Sequence, residues 1–204
     1  ICFIHEPSYH SFLKERLGHR IEPGPIVDRE GNVLGRHEGI PFYTIGQRRG
    51  LRLAKGRPLY VIEIDGSYGE GGGQILRTAL SLSCLLGKPF RIVNIRRNRK
   101  KPGLMPQHLT GVRAARLLSG ATVTGDSPGS TELVFAPGAA AGGDYRFDVG
   151  TAGSTLLLLQ ALLPPLLFAG RDSTVALSGG THVPWSPSFH YVSQVFAPML
   201  ERRL

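Results

Sequence analysis

Between Gly66 and Gly73, five glycines fall within eight residues, and the chain runs from them directly into an amphipathic helical pattern. The apolar run Leu59–Ile64 before them reads as a strand, and Ile75, Leu76, Ala79, Leu80 and Leu82 after them recur at helical spacing. The stretch Ile64–Leu80, IDGSYGEGGGQILRTAL, therefore predicts a strand, a glycine loop and a helix N-terminus in succession. Bare backbone N–H groups and the positive end of a helix dipole suit an anion at such a place, and glycine lets a ligand come close. Glu70 is an odd choice for holding an anion alone, but it makes sense if a divalent cation bridges it to phosphate oxygens. Gln74 and Arg77 lie one helical turn apart on the same face and extend the site. The spelling fits neither GxxxxGKS/T nor GxGxxG, so a plain glycine-rich turn with a solvated Glu70 stays open as the alternative.

At 204 residues the chain has room for one domain or two small ones. Its net charge of +9 favours a polyanionic partner, most simply nucleic acid. Arg91, Arg96, Arg97, Arg99, Lys100 and Lys101 fall within eleven residues that contain no acid, which reads either as a polyanion contact or as a solvated loop. The two cysteines, Cys2 and Cys84, lack metal spacing and support neither a disulfide framework nor a zinc site; Cys84 is expected in the core. The longest apolar run, Leu156–Ala169, is interrupted by Gln160 and Pro164–Pro165 and is too short to span a bilayer. With no secretory signal visible, a cytoplasmic protein without a membrane partner is expected. Ile1 in place of Met leaves open where the natural chain begins.

Residues 1–63 are rich in turns, with a helix expected at Ser11–Leu17 and strands at Ile26–Val27, Val33–Leu34, Phe42–Ile45 and Leu59–Ile64. This is a small β-rich fragment. From residue 64 the pattern becomes strand Val61–Ile64, glycine loop, helix Gln74–Leu86, strand Phe90–Ile95, basic loop, helix Pro106–Ser119 and strands Ala121–Thr124 and Glu132–Ala136. A similar order then restarts: strand Tyr145–Val149, glycine loop Gly150–Gly153, a proline-kinked helix Ser154–Ala169, strand Thr174–Ser178 and helix Ser188–Leu200. The expected fold class is α+β, made of repeated β-α-β-α-β-β units with two helices packed on a mixed sheet, the second unit truncated. Without its last two strands, that second unit is expected to leave Leu156–Phe168 short of cover and the chain prone to associate.

IDGSYGEGGGQILRTALSLS, IRRNRKKPGLMPQHLTGVRAA, GDYRFDVGTAGSTLLLLQALLPPLLFA and SGGTHVPWSP, in this order, resemble the amino-terminal part of the RNA 3'-terminal phosphate cyclases over residues 64–204. The resemblance implies a ligase that uses ATP and a divalent metal (Mg or Mn) to convert an RNA 3'-phosphate end to a 2',3'-cyclic phosphate. It implies an enzyme–AMP adduct on a histidine, then an RNA–AMP anhydride attacked by the neighbouring 2'-hydroxyl. By the same resemblance Glu70 binds the metal, and Gln74 and Arg77 face the triphosphate. Arg96, Arg99, Gln107 and His108 then hold the RNA phosphate, Gln160 lines the nucleotide pocket and Pro187 packs against adenine. The family's nucleophilic histidine belongs to a later motif, and neither His182 nor His190 stands in that motif, so no turnover is expected from these residues alone. A non-catalytic RNA-binding module on the same fold is the alternative.

Residues 1–63 resemble a different family. ICFI, FLKERL, PGPIVDREGNVLGRHEGIPFYTIGQRRGL and PLYVI are similar to the middle segment and β-rich domain of the tRNA-specific 2-thiouridylases. That resemblance implies a catalytic, persulfide-carrying Cys2 and a tRNA partner, with Gln47, Arg48 and Arg49 as tRNA contacts. The two resemblances join around Leu59–Asp65, whether by gene fusion, assembly artefact or truncation.

Overall fold

The computed structural model describes residues 23–28, 30, 32–38, 51–53, 63–66 and 72–202, of which 63 and 64 by backbone alone. The glycine-loop residues 67–71 with Glu70, Cys2, the helix expected at Ser11–Leu17 and the strand expected at Phe42–Ile45 lie outside the described residues.

Of the amino-terminal part, β1 (Gly24–Val27) and β2 (Val33–His37) form an antiparallel hairpin with an irregular step between Ile26 and Val27. The Asp28 carboxylate accepts from the Glu30 and Asn32 backbone N–H groups and closes the turn.

The first α/β unit is complete. Strand β3 (Glu63–Asp65) runs parallel to β4 (Phe90–Val93), and β4, β6 (Leu133–Ala136) and β5 (Thr122–Thr124) continue antiparallel, in the order β3-β4-β6-β5. Alternation along β4 and β6 turns Phe90, Ile92, Leu133 and Phe135 inward, all at most 2% exposed. Phe90 and Phe135 sit opposite each other in register, with ring centroids 5.7 Å apart. Helices α1 (Gly73–Leu86) and α2 (Pro106–Ser119) belong to this unit. Both end on a left-handed glycine, Gly87 and Gly120, whose N–H caps a carbonyl of the last turn.

Strand β4 ends two residues before the apolar pattern does. Asn94 and Arg96 adopt φ of 53° and 56°, so the chain turns there while Ile95 stays in the core. The basic loop beyond is held by the backbone: Ile95 N–H donates to Thr131 O, Gly103 N–H to Ile95 O and Leu104 N–H to Ser130 O, at 2.8, 2.8 and 2.9 Å. Gly103, at φ 78°, is required, because a Cβ would fall on the Gly129 carbonyl.

In the second unit, β7 (Asp144–Asp148) pairs parallel with β8 (Thr174–Ser178), and α3 (Thr155–Leu167) lies between them in sequence. Ser154 caps α3 by accepting from Leu157 N–H, and the helix continues through Pro164 and Pro165. The expected lack of cover holds at the end of this helix, where Leu167 and Phe168 are 39% and 70% exposed, and is corrected along the rest of it. Leu156, Leu158, Ala161, Leu162, Pro165 and Leu166 are buried, because α3 packs on α1 and α2 of the first unit instead of depending on its own two strands. One core cluster consequently joins both units. The final helical segment, α4, runs through Phe189–Tyr191, a π-helical Val192–Phe196 and Ala197–Glu201, and contains no buried residue. Among the described residues no helix is long and apolar enough to cross a membrane.

Phe135→Ala removes one ring of the stacked pair from a fully buried position. It is expected to cost about 3–5 kcal/mol, read as a lower urea midpoint with little change in slope.

Candidate functional site

Three helix N-termini meet at one end of the core. Helix α1 starts at Gly72–Gly73, α2 at Met105–Pro106 and α3 at Ser154. No first turn of the three carries an acid, and among the described residues no side chain caps the positive end of α1 at Gly72.

His108 occupies the third position of α2. Its Nδ1 accepts from the Met105 N–H at 3.2 Å, which closes a capping box and leaves the ring's single proton on Nε2. Nε2 points at the first turn of α1: a Cβ on Gly73 would fall on this atom and would stand 3.1 Å from Arg77 Nη1. Gly73 is thus needed for closeness. Burial, with the Arg96 and Arg77 charges behind it, pushes the His108 imidazole down to about 4 from its ordinary 6.5. The side chain is a neutral donor at neutral pH.

Arg77 donates from Nε to Gln160 Oε1 at 3.2 Å, joining α1 to α3. Burial lowers the Arg77 pKa, and the guanidinium, charged as arginine is in proteins, is held half-buried against a neutral amide. Gln107 joins α2 to α3, its Oε1 accepting from the Ser154 N–H at 3.3 Å. Ser154 Oγ lies 2.7 Å from Ser186 Oγ, which ties in the turn before α4. Arg96 donates to the Lys101 and Gly103 carbonyls at 2.8 and 3.1 Å and braces its own loop. Arg99 brings Nη2 to 3.5 Å from where a Gly72 Cβ would stand.

The structure therefore brings Arg77, Arg99, Gln107, His108 and Gln160 together around the start of α1, with Arg96 behind them. Gln74 lies exposed on the same first turn, and Pro187 is exposed next to Ser186. The arrangement presents two guanidinium groups, one neutral imidazole N–H and an acid-free helix start, a combination of groups suited to an oxyanion. Between α1, α2 and α3 only a narrow crevice of about 10 Å³ remains, lined by Leu76, Leu80, Gly111, Leu158 and Ala161 among others. Of the basic run, Arg91 is directed elsewhere, pairing with Glu132 at 2.7 Å on the sheet. Cys84 is buried as expected, 3.8 Å from the Ala115 carbonyl, and burial raises its thiol pKa. Sequence reasoning missed Ser154 and Ser186 as members of the network. Ser154 was visible only as a serine between a glycine loop and an apolar run, the ordinary mark of a helix cap.

Comparison with known proteins gives two family matches. Residues 68–204 match the family described as RNA 3'-terminal phosphate cyclase, and residues 10–70 match the tRNA methyl transferase PRC-barrel domain. Among curated relatives, the RNA 3'-terminal phosphate cyclase of Sulfolobus acidocaldarius is 62% identical over 143 residues, covering 70% of this chain and 42% of the relative. That of Archaeoglobus fulgidus is 59% identical over 135 residues, covering 66% and 41%, and that of Ralstonia nicotianae 58% over 146 residues, covering 72% and 42%. The chain spans about two fifths of the length of these relatives.

Two outcomes follow from the packing at Gly73 and from the neutral imidazole. Gly73→Ala displaces His108 and crowds Arg77, so affinity for inorganic phosphate should fall about tenfold while the melting temperature holds, since alanine is the better helix former. Below its ordinary 6.5 the unfolded His108 takes a proton that the folded one refuses until about 4. Stability from this group is full above 6.5 and declines as pH falls to about 4, and His108→Gln should flatten that part of the pH–stability curve.

Proposed function

The chain belongs to the RNA 3'-terminal phosphate cyclase family, and on that premise we propose that residues 68–204 grip the 3'-phosphate of an RNA end for cyclisation. The observation that carries this reading is the convergence on Gly73 of the Arg77 and Arg99 guanidinium groups and the His108 Nε2–H at the acid-free first turn of α1. Arg77 and Arg99 supply charge, His108 supplies a fixed neutral N–H through Nε2, and Gln107 braces the place where α2 meets α3. Arg96 acts behind them by holding the loop that carries Arg99. Fixed donors of this kind align a terminal phosphate and screen its charge, which an attack by the adjacent 2'-hydroxyl requires.

ATP with Mg or Mn would supply an activated adenylyl group and charge neutralisation, with Glu70 on the metal side, Gln74, Gln160 and Pro187 on the nucleotide side, and Arg77 between the triphosphate and the RNA phosphate. The uncapped, acid-free start of α1 fits phosphate oxygens. Glu70 would hold the cation, which would neutralise charge on the phosphate oxygens. Neither His182 nor His190 stands in the nucleophile's motif, and we propose that these residues bind without completing the reaction themselves.

The match over residues 10–70 supports a second RNA-facing segment with tRNA as its partner, and we propose a boundary with the cyclase part near residues 63–64 and a cytoplasmic location. Cys2 as a sulfur carrier belongs to that segment's proposed role.

Binding of one oligoribonucleotide in 3'-phosphate and 3'-hydroxyl forms tests the principal reading. The phosphorylated form should bind about tenfold more tightly, and Arg77→Gln should remove most of the difference. Equal affinity for the two ends would favour the non-catalytic RNA-binding module instead.

A further inference from the structure

Trp185 is 101% exposed and sits in the left-handed region at φ 64°. A bulky residue rarely adopts that conformation, and no packing rewards it here. The turn that carries it is held firmly all the same. Ser186 N–H donates to Val183 O at 3.2 Å, Phe189 N–H donates to Thr181 O at 3.1 Å, and Ser186 Oγ meets Ser154 Oγ at 2.7 Å. Around it stand further exposed rings. His182 and His190 lie 5.1 Å apart between ring centroids, and Phe189, 48% exposed, lies 6.1 Å from His190. A pinned turn that presents aromatic faces to solvent has the form of a stacking platform for nucleobases.

The hydrogen-bonded route inward identifies which base. From Trp185 it passes through Ser186 to Ser154, and from Ser154 N–H to Gln107 Oε1, beside His108. The path arrives at the proposed RNA-phosphate residue Gln107, while Pro187 of the same turn stands on the nucleotide side. We infer that Trp185 stacks on the 3'-terminal nucleobase of the RNA whose phosphate is held at Gly73. This rests on the phosphate-end reading above and adds a base contact to it. The contact is indifferent to which base is present, because every base has a π-face.

The chain contains one tryptophan, so its emission reports this residue alone. The full chain is titrated with a short 3'-phosphorylated oligoribonucleotide and with the same oligonucleotide made abasic at its last position. The intact RNA should quench the emission, and the abasic one should bind about tenfold more weakly without quenching. By anisotropy of labelled RNA, Trp185→Phe should retain most of the affinity and Trp185→Ala should lose about tenfold, with the 3'-phosphate preference preserved in both. Trp185→Gly, free of the backbone strain, should melt no lower than the parent and still bind as weakly as Trp185→Ala, which separates base contact from a structural role. Unchanged affinity of Trp185→Ala, equal quenching by the abasic RNA, or quenching by ATP alone would overturn the assignment. If the parent chain shows no preference for 3'-phosphate, the phosphate reading fails whatever Trp185 does. A preserved preference with no effect at Trp185 sinks the stack alone, and a chain that binds no RNA overturns both.

Discussion

The close approach of α1, α2 and α3 is the constraint from which the site follows. Small residues line it: Ala79 on α1, Gly111 on α2 and Ala161 on α3 are buried there, and Gly73 at its end leaves no room for a Cβ against His108 Nε2. At the N-terminal end of this contact the same closeness sets His108 against Gly73, Arg77 against Gln160 and Gln107 against the Ser154 N–H. Each of these spans two helices, so widening any one helix pair would break at least one of them. The tight core and the polar site are two ends of a single packing arrangement.

Electrostatics at that end are unbalanced in one direction. The Arg77 guanidinium is partly removed from water yet meets a neutral amide, and His108 is discharged because two guanidinium groups and burial oppose its proton. Burying cations without a carboxylate is costly, and the cost falls when an anion arrives. His108 can stay beside the arginines because it is neutral: its Nδ1 is committed to the Met105 N–H, so it adds a donor without adding charge. Surface ion pairs such as Arg91–Glu132 show the opposite arrangement, with both partners about half exposed and the charges cancelled in place.

The order of elements was legible because local signals agreed. Pro106 at the start and Gly120 after the end bounded α2 at Pro106–Ser119, where it was expected. Strand β4 was overdrawn by two residues, because Ile95 is apolar for the core while its neighbours Asn94 and Arg96 turn the chain. A hydrophobic pattern records burial and not backbone direction. The cover on α3 was misjudged in part, at Leu158 and Leu162 though not at Leu167 and Phe168, for the same reason: the first two announce that they are buried, but not that the buried surface belongs to the first unit's helices. The π-helical step at Val192–Phe196 left no mark in the spacing.

Site residues were legible only as far as a resemblance carried them, and the geometry explains why. Arg77 and Gln160 are 83 positions apart, and Gln107 and Ser154 are 47 apart. No local rule links residues at such separations. Both pairs cross from one β-α-β unit to the other, each with one member at or near a helix start that follows a glycine-rich turn. One such helix start is a common feature with no assigned ligand. Two of them, brought face to face by a shared core and joined by α2 between them, make a site that neither unit contains alone. The repeat is therefore more than a record of how the fold is built: it is the means by which donors distant in sequence come to stand around one candidate site.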